Sequence, residues 1–464
     1  MERSEAEAIY DAGRDVCVEF ILRLEERVSA LERRLNQDSS NSSKPPSSDP
    51  YWKQPKRGER GSGGKRGAQD GHEGHHRNLF SGDRVDVVVE AWPQSCRRCG
   101  VALDQLVHGD SVVHQVAELP PVAVQVTEYR LQRVCCSGCD AVTIADLPDG
   151  VTRSAFGPRL HALAATLTTQ LSGSRRKVAD IITTVFGCPI STGAVDAMLE
   201  RVGDALKHPY GALVEAMRGA DCVNADETSW RLNNQWQWLW GAFTAQIAVL
   251  MIDPSRTSDA AQRLLGDHQG VVSSDRHGAY NQFTHRQLCW AHLDRNLTAL
   301  AQTSESAQRV ATRLKASADE TFAAWARYRD KHQDRAQLRS EIATIRDRMW
   351  QTIDTIASQP KRARNRQLRR FCRSLAKSFE QYWTFVEVPG VQPTNNHAER
   401  GLRHAVIYRK ISGGSKTERG AITTQRLLSI HQTCRLQQRS LFEYLADVMQ
   451  HTARGQPAPT PLPP

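Results

Sequence analysis

A chain of 464 residues has room for two to four domains and at least one sizeable core. Its 61 Lys and Arg against 51 Asp and Glu leave a net charge of +10, a balance that favours a polyanionic partner. No apolar run approaches a membrane span, the charged start M-E-R-S-E-A-E lacks a signal-peptide core, and eleven cysteines do not suit a full disulfide framework, so the expected compartment is the cytoplasm.

In residues 1–36, Tyr10, Cys17, Ile21, Leu24, Val28, Leu31 and Leu35 recur at spacings of three and four from Cys17 on, with Arg14 interrupting the seam. This predicts one helix over 3–36 and a short coiled coil able to dimerise the chain. An amphipathic helix packed on its own domain gives the same spacing. Residues 37–80 contain almost no aliphatic side chain and read as a flexible basic linker. Lys53, Lys56, Arg57, Arg60, Lys65 and Arg66 suit phosphates there, or only a soluble tether. His72, His75 and His76 are read as incidental.

Residues 81–150 form a small module. R-V-D-V-V-V-E-A-W and V-A-V-Q-V-T-E-Y-R-L read as strands. Cys96-x2-Cys99 and Cys136-x2-Cys139, with Cys135 beside the second pair, predict one structural Zn²⁺, since each knuckle turns two sulfurs toward one point. Arg97, Arg98, Arg130 and Arg133 make nucleic acid a reasonable partner for the module. Residues 151–215 read as amphipathic helices about a Gly-containing turn, either a helix-turn-helix or plain helical packing.

Residues 216–450 open with strand-like runs at 221–225, 235–243, 245–252 and 270–274 and a short helix over 258–265, an α/β core. Trp236, Trp238 and Trp240 share a face by period two and read as a buried sheet face. Residues 290–385 are helical in pattern. Between Lys361 and Arg373 lie seven basic residues and no acid, which favours a phosphate-contacting surface made by Lys361, Arg362, Arg364, Arg366, Arg369 and Arg370, with Arg400 and Arg403 farther on. Asn395 or Asn396 can cap a helix carrying Glu399 early. The loop S-G-G-S-K lacks Walker spacing and is weak evidence for a phosphate site. Residues 451–464 are a Pro-rich tail.

Asp226 and Asp275 each end an apolar run, and Glu399 lies at the start of a helix. Each acid alone reads as a solvated loop residue. Together, hard oxygen donors at strand ends with a third on a helix suit divalent metal.

Taken in order, N-S-S-K-P-P-S-S-D, A-Q-D-G-H-E-G-H, the paired C-x2-C module, D-E-T-S-W, S-D-R-H-G-A-Y, C-W-A-H-L-D-R and N-N-H-A-E-R-G-L-R resemble the IS66 family of bacterial insertion-sequence transposases. The resemblance implies an RNase H-like domain with a long helical insertion near 295–385 and a D-D-E triad at Asp226, Asp275 and Glu399. It implies two Mg²⁺ or Mn²⁺ ions, action on element ends and target DNA, a nucleoid-associated setting, a homodimer or higher oligomer, and accessory proteins of the same element. Cys289-x2-His292 looks like a zinc half-site but matches the family's C-x-A-H motif and is read as structural or near the active site. Two rival readings are a nuclease of this fold without strand transfer and a zinc-containing DNA-binding regulator with an inactive core.

Overall fold

The computed structural model describes residues 3–35, 37–38, 78–104, 111–360 and 365–463. Two compact units separate, one comprising residues 1–49 and 124–464, the other residues 50–123. Most of the basic linker, with its histidines, and Lys361, Arg362 and Arg364 lie outside the described residues.

The first unit begins with α1 (Arg3–Asp11) and α2 (Arg14–Leu35). The expected single helix is broken at Gly13, whose φ of +104° is open to glycine and rarely to other residues. Ile21, Leu24, Val28, Leu31 and Leu35 are all exposed along α2 in the single chain.

In the second unit the stretch expected as a strand at 84–92 forms no ladder, and Val88 is 80% exposed. Residues 122–131, which cross into the first unit, also form none. Alternation makes a strand only where a partner and a buried face exist, and these segments have neither among the described residues. Among the described residues of 81–150 the one ladder is the antiparallel pair β1 (Arg133–Cys135) and β2 (Val142–Ile144), joined through the second knuckle.

Four helices follow: α3 (Pro158–Gln170), α4 (Arg175–Phe186), α5 (Thr192–Ala205) and α6 (Lys207–Arg218). Pro158 opens α3, where a missing N–H does no harm. Ser174 and Ser191 cap α4 and α5, and Gly187 ends α4 in the left-handed region. The α4–turn–α5 unit has the expected outline. Its second helix, however, turns Asp196, Glu200 and Asp204 outward, paired to Arg175 and Arg419.

The core sheet holds β3 (Cys222–Leu232), β4 (Gln235–Phe243), β5 (Ala248–Asp253), β6 (Val271–Ser274) and β7 (Arg286–Leu288), in the order β5-β4-β3-β6-β7. β3, β4 and β5 are antiparallel neighbours, whereas β6 runs parallel to β3 and β7 parallel to β6. The helix α7 (Ser258–Leu265) links β5 to β6, as expected. β3 runs past Asp226 instead of ending there. β7 was not foreseen, because its buried residues Arg286 and Gln287 are polar. The tryptophans are graded along β4: Trp240 is buried, but Trp236, at the hairpin end, is 63% exposed with the Arg231 guanidinium over its ring. The expected uniform burial fails because the sheet face runs out at that end.

One face of the sheet, with Val223, Ala225, Trp240 and Val249, packs into a core shared with α3–α7 and with α14 (Glu418–Leu436) and α15 (Leu441–Ala453). The other face, with Trp230, Leu239 and Phe243, packs under α13 (Asn396–Ser412). Between β7 and α13 stand α8 (Trp290–Ala301), α9 (Glu305–Arg329), α10 (Arg335–Ala357), α11 (Arg366–Ala376) and α12 (Thr384–Glu387), with their own core around Trp290, Leu314, Ile345 and Phe385. This inserted block closes on itself. Trp290 Nε1 and Gln287 Nε2 both donate to the Tyr382 carbonyl, at 2.7 and 3.0 Å. No helix among the described residues is long and apolar enough to cross a membrane.

Candidate active site

Parallel pairing aligns Cys222 with Val271 and Asn224 with Ser273, so Asp226 and Asp275 follow the last pair by the same two steps. Asp275 leaves β6 in a turn that its own carboxylate closes, Oδ1 accepting the His277 N–H at 2.8 Å. Asp226 Oδ1 accepts the neighbouring Glu227 N–H at 2.9 Å.

Glu399 comes from the other end of the insertion, in the first turn of α13. Its place depends on Asn395, which is 1% exposed. The expected capping bond is absent. Instead Asn395 Nδ2 donates to the Ala225 carbonyl at 2.8 Å, and its Oδ1 accepts from Asn224 Nδ2 at 3.0 Å. The helix start is thus pinned to β3 one residue before Asp226. Asn395 N–H also donates to Cys289 Sγ at 3.1 Å, and Trp290 N–H to the Pro393 carbonyl at 3.0 Å, which joins the starts of α8 and α13.

Electrostatics register this convergence. The Asp226 carboxyl is held well above its ordinary value, first by burial, then by the charges of Glu227 and Asp275, with Glu399 adding to them against the Glu227 N–H. No cation figures among these causes. Glu399 Oε1 accepts from Arg295 Nη2 at 3.1 Å, and His292 Nδ1 lies 3.8 Å from it. Burial and Arg295 push the His292 imidazole down, so the ring is held neutral. Cys289 is buried and packs as a neutral thiol beneath Asn395. The C-W-A-H-L-D-R segment therefore serves the neighbourhood of Glu399.

Among the described residues, no group of three or more His, Cys, Asp or Glu side chains is disposed to hold a metal ion as it stands. Cys96 and Cys99 belong to one unit, Cys136 and Cys139 to the other. The two knuckles nevertheless share one turn. Cys96 N–H donates to Val101 O at 2.8 Å and Gly100 N–H to Cys96 O at 2.9 Å; Cys136 N–H donates to Ala141 O and Asp140 N–H to Cys136 O, both at 2.9 Å. Gly100 and Asp140 occupy the same left-handed position. Backbone N–H groups lower Cys96 (from Arg98 and Cys99) and Cys136 (from Gly138, and after the Cys139 thiol, from Cys139).

The basic residues divide. Arg369 is 7% exposed and donates to the Pro360 carbonyl, so it is a structural clamp and not the surface contact its sequence position suggests. A helix of that composition must bury one face, and Leu368, Arg369, Cys372 and Leu375 form it. Arg366, Arg370, Arg400 and Arg403 are exposed. In the glycine loop, a Cβ on Gly414 would stand 2.3 Å from the Arg231 carbonyl, and Ser415 bonds β3 through Trp230 Nε1 at 3.3 Å. That loop is a sheet-edge staple.

Residues 153–423 match the family described as Transposase IS66 family. Residues 3–78 match a family of unknown function, DUF6444. The chain is 20% identical over 413 residues to the uncharacterized protein y4qI of Sinorhizobium fredii (strain NBRC 101917 / NGR234), covering 81% of this chain and 74% of that protein. It is 22% identical over 408 residues to the uncharacterized protein y4hP of the same strain, covering 80% and 72%.

Proposed function

The chain belongs to the IS66 family of transposases, and from that footing we propose that it is a DDE-type DNA transposase, binding the ends of its element and catalysing metal-dependent strand cleavage and strand transfer. The observation that carries this reading is the convergence of Asp275 and Glu399, from two other parts of the chain, on the half-buried Asp226 carboxyl, with Glu227 beside it. The sheet supports an RNase H-like core: its first strand is central, two strands fold back antiparallel on one side, and two run parallel to it on the other.

The donor set suits a hard divalent cation, because Asp226, Asp275 and Glu399 are oxygen donors and the charges of Asp275 and Glu399 crowd Asp226. Asp226, Asp275 and Glu399 would together hold the ions. Bound there, such ions supply activation of the attacking hydroxyl and stabilisation of the leaving oxygen. The chain's own part is placement. Asn395 fixes the height of Glu399 over β3. Arg295 holds the Glu399 carboxylate in place. Arg400 and Arg403, exposed on the same helix, suit phosphates approaching the acids, with Arg366 and Arg370 as a second basic surface.

Each knuckle by itself, with its tight turn and sulfur-directed N–H groups, suits thiolate ligands for the Zn²⁺ expected from the sequence. Metal analysis of purified full-length protein should then give one zinc per chain, and Cys136→Ser should lower it to near zero. Zinc-free protein protected from proteolysis across 81–150 would remove this site. The exposed seam of α2 supports a homodimer.

Strand transfer separates transposase from nuclease. Pre-cut element ends with Mg²⁺ and target DNA should yield joined products. Cleavage without joining would make the protein a nuclease of this fold.

A further inference from the structure

Glu227 adjoins Asp226, yet its side chain points to the opposite face of β3 and is 1% exposed. Both of its oxygens are engaged. Oε1 accepts from Arg256 Nε and Nη2 at 2.9 and 2.7 Å, and Oε2 accepts the Tyr280 hydroxyl at 2.6 Å. His277 Nδ1 lies 3.9 Å from Oε1.

Tyr280 and His277 belong to the segment that follows Asp275. His277 supplies the N–H that closes the Asp275 turn. Tyr280 ends the 3-10 turn Gly278–Tyr280 and is fully buried, edge-on to Trp240 at 5.9 Å. On its other side the turn is held by Arg286, which donates to the Asp275 carbonyl at 3.0 Å and to the Asn281 side chain at 2.6 Å. The peptide that carries Asp226 on one face of the sheet thus grips the Asp275 turn on the other. Arg256 and Tyr280 thus engage both oxygens of Glu227 on the face away from Asp226.

We infer that Glu227 is a positioning residue, setting the Asp275 turn against Asp226 through Tyr280 so that the pair binds a divalent cation. The inference rests on the metal-site reading above. A buried ion pair of purely structural use would change folding stability and leave cation affinity alone, whereas displacing a ligand-bearing turn acts on affinity as loss of an outer partner does, about 10-fold or more.

The test uses full-length protein, Mn²⁺ alone as probe, and two variants. Glu227→Gln removes the charge; Tyr280→Phe deletes one hydrogen bond and keeps the fold if Glu227→Gln does not. Titration calorimetry measures Mn²⁺ binding, and thermal melts in EDTA report the metal-free fold. Tyr280→Phe should weaken Mn²⁺ binding about 10-fold while its metal-free melt stays near wild type, and cleavage should recover at high Mn²⁺. Asp226→Asn should not recover at any concentration. Wild-type Mn²⁺ affinity in both variants would overturn the inference while leaving the metal site intact. Absence of Mn²⁺ binding by wild type would overturn the metal site, and the inference with it.

Discussion

Asp226 is half-buried beside other carboxylates, and the fold opposes its ionised form. Its folded pKa lies above its unfolded one, so the stability tied to its proton is present below the ordinary carboxylate range and is lost as pH rises through the folded value. Asp226→Asn keeps the shape without the charge. In EDTA at neutral pH this variant should melt higher than wild type, by roughly 2 °C or more, with the gap closing as pH falls toward the usual carboxylate pKa. Calorimetry checks it, and a lower melt at every pH would mean that the charge stabilises the fold. The three acids were legible in sequence because each stands at a change of texture: apolar run to carboxylate, or loop to helix. Their supports were not. Asn395 reads as a cap and acts as a strap on Ala225, and Arg286, which no sequence pattern marks, holds a turn from within. Both roles depend on partners that only the fold brings near.

At the scale of elements, the height of α13 decides where Glu399 stands. A Cβ on Gly401 would meet the Phe243 ring at 2.4 Å, and one on Gly241, opposite Asp226 in the ladder, would meet Phe243 at 2.7 Å and Leu402 at 2.9 Å. Helix and sheet therefore touch through glycines, closer than any side chain allows. Gly401→Ala should cost about 1–3 kcal/mol by overpacking and should lower cleavage more than DNA binding, because it lifts Glu399. Adding Phe243→Leu should restore part of both losses. Full activity with unchanged stability in Gly401→Ala would show that the helix can move without consequence. Sequence patterns served long elements well, as in the inserted helices α9 and α10, where periodicity runs for several turns. They failed for residues 84–92, whose alternating valines find no ladder, and for β7, whose three buried residues include two polar ones.

For the whole molecule, the inserted helices stand between the second and third acids, yet they leave and return at one place. Gln287, Trp290 and Tyr382 close the insertion, and Cys289 with Asn395 joins its exit to α13. A long sequence interval is therefore a short distance in space. The general plan, an α/β core interrupted by helices, was legible from composition and period. The closure was not, since it is made by single hydrogen bonds to backbone carbonyls. The most direct test of the account compares Asp226→Asn, Asp275→Asn and Glu399→Gln in Mg²⁺-dependent cleavage and joining of element ends. Each variant should lose activity by at least about 100-fold, as expected for groups that stabilise transition-state charge. Binding to the same DNA should persist, and double variants should be little worse than single ones. Near-normal Mg²⁺-dependent cleavage by Glu399→Gln would contradict the assignment and place the third ligand elsewhere.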